Sequence, residues 1–84
     1  MNTPKPREDN RYRTSDLYFA AFLKTAGVPF LETEREGDRI QFVFEKIDTI
    51  RELKAGFFTR SAKVSAMSFA DEIKALKALT HLAD

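Results

Sequence analysis

Thr14 to Gly27, TSDLYFAAFLKTAG, sets seven apolar residues side by side, Leu17 to Leu23, in a chain that elsewhere alternates its apolar and polar positions. A helix accounts for the run. At about 100° per residue, Tyr18, Phe19, Phe22 and Leu23 fall on one broad arc, and Leu17, Ala20 and Ala21 fall opposite. Thr14 is a suitable N-cap, with Ser15 and Asp16 in the first turn, and Gly27 stands at the expected C-terminal position with Pro29 just beyond. The helix is therefore predicted to run to about Ala26. Its bulky arc has the character of a surface laid on a sheet. Its alanine face suits a second helix at close range, supplied by the same chain or by another copy of it. Leu17, Ala20 and Ala21 are thus the candidate self-association surface.

Outward from this helix the period changes to two. FLETEREGDRIQFVFE, residues 30–45, reads as a β-hairpin turning at Gly37-Asp38. A two-residue turn there sets Arg35 against Ile40, Thr33 against Phe42 and Leu31 against Phe44, all on the core side. Glu32, Glu34, Gln41, Val43 and Glu45 then face solvent. A second helix is predicted over about 48–58, with Ile47, Ile50, Leu53 and Phe57 on one stripe and Thr49-x-x-Glu52 as a capping box. Residues 62–66, around Val64, are a candidate short third strand. Ser68 is expected to cap a last helix to about Leu82, with Phe69, Ile73, Leu76 and Thr80 inward and Leu79 and Leu82 beside them. The fold class is α+β: helix, hairpin, helix, helix, with the helices on one face of a small antiparallel sheet.

Residues 1–11 carry Pro4, Pro6 and mixed charge without an apolar period, and read as a disordered arm before a single domain over 12–84. At 84 residues the chain has room for one domain only. A core of this size yields about 3–5 kcal/mol, and small domains often add a disulfide, a metal or a partner subunit. There is no Cys, which excludes disulfides and thiolate chemistry. With no apolar leader at the start and no membrane-length run, the expected location is cytoplasmic. A net charge of +1 gives no overall basic bias toward nucleic acid.

Chemistry-bearing motifs are scarce. The single histidine, His81, lies in the last helical turn, away from any nucleophile motif. Glu32, Glu34 and Glu36 share one face of a strand, with Asp38 and Glu45 nearby. Such oxygens can hold a hard cation, but a solvated sheet face needs the same residues. The reading is of a protein that is not an enzyme, with no catalytic residues, no metal and no cofactor. One segment is more suggestive: in RELKAGFFTRSAK, residues 51–63, Arg51, Lys54, Arg60 and Lys63 surround Phe57 and Phe58. Cations neutralise phosphates and an exposed ring stacks on a base, the pattern of a single-strand platform. Adjacent residues diverge by about 100° on a helix, so Phe57 and Phe58 cannot share one narrow core stripe. The expected function is a non-catalytic interaction module that associates with itself or another protein, the alternative being a nucleic-acid or nucleotide-binding accessory protein.

YRTSDLYFAAFLKTAG, LETEREGDRIQFVFE and EIKALKAL together resemble a family of small bacterial and phage-associated proteins defined only as a domain of unknown function. The resemblance covers residues 12–80. Its marks are the Tyr12-to-Tyr18 opening, the Phe42-Val43-Phe44 strand and the closing Leu76-Lys77. It implies this order of elements and a mobile-element origin, but no activity or site residue. Where the family reads Phe-Tyr-Asn-Gly after the second helix, this chain has Phe57-Phe58-Thr59-Arg60.

Overall fold

A computed structural model describes residues 10–83, with side chains to His81. Positions 1–9 of the expected arm and the Leu82 side chain lie outside the described residues. The order of elements is β1 (Arg11–Thr14), α1 (Leu17–Thr25), β2 (Phe30–Glu36), β3 (Arg39–Glu45), α2 (Thr49–Phe58) and α3 (Ala66–Ala83). The sheet is three-stranded and antiparallel in the order β1-β3-β2. The helices pack on one another and on the sheet face that carries Phe42 and Phe44, giving the α+β architecture that the patterning predicts.

The third strand is not at residues 62–66, where the chain is irregular to Ser65 and α3 begins at Ala66; it is β1, shortly before the first helix. Tyr12 lies opposite Phe44 and Thr14 opposite Phe42. Pairing with the central strand holds Thr14 extended, so α1 starts later than expected. Asp16 is the N-cap, its Oδ1 accepting from the Phe19 amide at 3.0 Å. At the other end the Val28 amide donates to the Leu23 carbonyl at 3.0 Å and the Gly27 amide to that of Lys24 at 3.1 Å. This double closure requires a left-handed residue at Gly27, whose φ is 95°.

α1 is enclosed on both sides. Phe19, Phe22 and Leu23 are buried, and so are Ala20 and Ala21. Phe19, Phe22 and Leu23 share one core cluster with Phe42 and Phe44 of the hairpin, as the patterning predicts, and their ring-to-ring contacts run to other elements. Phe19 and Phe22 meet Phe57 of α2 at 5.2 and 5.1 Å, and Phe19 also meets Tyr12 edge-on at 6.2 Å. The alanine face belongs to α3, the element α1 packs against most extensively. Lys24, on that same face, pairs with Glu72 of α3 at 2.9 Å. Tyr18, expected on the covered arc, is 53% exposed, because the arc of contact is narrower than the apolar run.

In the hairpin the expected pairs Arg35–Ile40 and Thr33–Phe42 form, with Gly37 alone at positive φ, 65°, as the first residue of the turn. Beyond Thr33 a bulge intervenes. Phe30 rather than Leu31 lies opposite Phe44, with ring centroids 5.3 Å apart, and Leu31 is pushed out to 46% exposure. The larger ring thereby reaches the core side, and the Lys24 ammonium lies 5.1 Å from its centre.

Val43 was expected to face solvent, yet it is fully buried outside the main core cluster. Its opposite neighbours are Arg13 on β1 and Glu32 on β2. Across it Arg11 Nη1 reaches Glu32 Oε2 at 2.6 Å and Arg13 Nε reaches Glu34 Oε1 at 2.8 Å. The outer face is thus a lattice of charged side chains whose stems cover one valine.

Asp48 is the N-cap of α2, and the expected capping box does not form, since no side chain caps the helix. It ends like α1: Arg60 donates its amide to the Phe57 carbonyl at 3.2 Å and Ser61 to that of Gly56 at 2.9 Å. Here the left-handed position, φ 63°, is held by Arg60. This is where the chain departs from the resemblance's Phe-Tyr-Asn-Gly. α3 starts before Ser68, with Ser65 Oγ accepting from the Ser68 amide at 3.2 Å.

Candidate functional site

Every residue of the basic and aromatic segment is positioned by α2 and the turn that closes it. Ile50, Leu53 and Phe57 form the inward stripe, Ile50 fully buried and the others partly. Helical geometry then brings Arg51, Lys54 and Phe58 onto one outer flank, three and seven residues apart. All three are exposed. Phe58 is 56% exposed, yet its ring is backed by Phe19 at 5.6 Å and by the edge of Phe57 at 5.1 Å. The choice left open between the two rings is settled by where α2 lies on α1: Phe57 goes in and Phe58 stays out, braced.

Arg51 and Lys54 also border an open cleft of about 570 Å³ around the start of α2, with Tyr12, Lys46, Asp48 and Glu52. Lys46 and Tyr12 were missed in the sequence because they lie outside α2, Tyr12 on β1 and Lys46 on the link from β3. Charge density gave one available signal: residues 46–63 hold five basic residues against two acidic.

Arg60 and Lys63 are not part of that flank. Arg60 lines a recess of about 270 Å³ with Phe22, Phe57 and Phe69, and Lys63 lines a neighbouring cleft of about 570 Å³ with Leu53 and Gly56. The six residues read as one patch therefore divide into an outer flank, Arg51, Lys54 and Phe58, and a cleft side, Phe57, Arg60 and Lys63.

The candidate self-association surface needs correction. Ala20 and Ala21 have no accessible area within a single chain, and Leu17 is partly buried against the core, because α3 already occupies the close-approach face. A second copy has no access to those two side chains.

On the acidic strand face, Arg13 donates to Glu34 twice, at 2.8 and 3.4 Å, and its guanidinium holds the Glu34 carboxyl below its ordinary pKa. Glu36 accepts from Gln41 at 3.2 Å. Among the described residues no group of three His, Asp or Glu is placed to hold a metal ion. His81 is exposed in the last turn of α3. No described helix is long and apolar enough to cross a membrane.

The chain belongs to the family described as a domain of unknown function, DUF5659, whose model matches residues 9–82, from the approach to β1 to the last turn of α3. No curated protein and no solved structure matches it.

Proposed function

We propose that this member of the family is a non-catalytic binding module whose working surface is the outer flank of α2, presented to single-stranded nucleic acid. One observation carries the reading: an exposed, braced Phe58 shares a helix flank with two cations. Ammonium and guanidinium groups displace counterions from phosphates, while a fixed ring gives a base a stacking surface with little ordering left to do.

Fluorescence anisotropy of a labelled oligothymidylate tests the reading. Binding is expected at low salt, weakening as salt rises with a slope of about −0.7 per phosphate contacted. Joint Arg51→Glu and Lys54→Glu substitution abolishes it, and Phe58→Ala weakens it by about tenfold, the scale of one stacked base. Absence of binding at low salt, or indifference to the charge reversals, overturns the reading.

A second reading, self-association through the hairpin, is favoured by the outer edge of β2, which among the described residues pairs only with β3 and extrudes Leu31. Light scattering over a dilution series decides it: a strict monomer at every concentration removes it.

A further inference from the structure

The cleft side of α2 carries a separate inference. The larger cleft and the smaller recess adjoin, since both are lined by Phe22, Ala62 and Val64. Their walls are mainly apolar, and Val64 stands 37% exposed between them. Their combined scale suits a small organic molecule. At the rim stand Arg60 and Lys63, opposed by Glu52 alone among the charged groups lining them. Among the described residues neither Arg60 nor Lys63 has an ion-pair partner.

Two residues here run against local stability, and both border this hollow. Gly56 lies within α2, where alanine would favour the helix. Packing does not demand glycine, because an added Cβ would meet the Ala62 Cβ at an ordinary 3.5 Å. Arg60 occupies a left-handed position at φ 63°, where glycine is the unstrained choice. Gly56 lines the larger cleft and Arg60 the smaller one. Departures from local preference concentrate where a protein binds something.

From this placement we infer that the paired hollow is a binding site for a small amphiphilic anion, an acyl or aryl carboxylate. Its apolar body lies against Phe22, Leu53 and Val64, and its carboxylate faces Arg60 and Lys63. Arg60 suits that group because its planar fork matches two carboxylate oxygens. This site is independent of the outer flank and of any nucleic acid bound there.

The test is a fluorescence titration of the full chain with anilinonaphthalene sulfonate, followed by displacement. The folded protein is expected to bind the dye, decanoate to displace it, and decanol to compete far less well. Arg60→Gly relieves the left-handed strain, so it stays folded, and it weakens decanoate by about tenfold through loss of a charge-assisted contact. Glu52→Gln tightens decanoate by removing the opposing charge. Failure of the folded chain to bind dye or decanoate overturns the site. Decanol competing as well as decanoate, or affinity untouched by both Arg60→Gly and Lys63→Glu, overturns the assignment to an anion.

Discussion

Phe19→Ala leaves the chain without a cooperative unfolding transition at room temperature. Phe19 is 2% exposed and its ring meets those of Tyr12, Phe22, Phe57 and Phe58. It therefore joins β1, α1 and α2 through one side chain. Truncating a core phenylalanine costs about 3–5 kcal/mol. A domain of this size has about 3–5 kcal/mol to lose. Urea titration followed by circular dichroism reads the effect. Phe58→Ala is the internal control: its ring is more than half in water, so its transition should stay within about 1 kcal/mol of the parent. A Phe19→Ala chain that melts like the Phe58→Ala chain would mean that the ring cluster does not hold α1 to α2.

Leu76→Ala is the next largest effect, a loss of about 2–5 kcal/mol. Among the described residues of α3, Leu76 alone is fully buried, while Phe69, Ile73 and Leu79 on the same stripe are partly covered. The long helix is thus anchored mainly at one point, with the Lys24–Glu72 pair beside it. A partly exposed surface pair of that kind contributes on the order of 0.2–1 kcal/mol and cannot replace the lost packing. Hydrogen exchange should show α3 amides losing protection ahead of those in β3. Loss of less than about 1 kcal/mol would place the anchor elsewhere on the helix.

Much of the architecture is legible in the residues, and the failures share a cause. Gly27, Gly37 and the period of the apolar side chains are local signals, and they locate the end of α1, the hairpin turn and the three helices. β1 escaped because Arg11-Tyr12-Arg13-Thr14 is four residues long and becomes a strand only by pairing with β3, distant in sequence. The same pairing moved the helix cap from Thr14 to Asp16. The bulge at Leu31 arises from competition between Phe30 and Leu31 for one inner position, which Phe44 and Lys24 decide from other elements.

The candidate site was half legible for a related reason. Neighbouring phenylalanines must diverge on a helix, so one ring had to leave the core. Which one left depends on the docking of α2 against Phe19 and Phe22. Likewise, Ala20 and Ala21 announce a closely packed helix without saying whose it is, and α3 supplies it within the chain. The basic segment looked like one patch because linear proximity hides the turn at Arg60, which carries Arg60 and Lys63 to the other side of α2.

That division of α2 is most directly examined by a ¹⁵N-resolved NMR titration of the full chain with oligothymidylate. The backbone amides of Lys46, Arg51, Lys54 and Phe58 should shift together, saturating in proportion, while those of residues 60–65 hold still. Shifts centred on residues 60–65, or on the outer face of the sheet, with the flank of α2 unmoved, would contradict it.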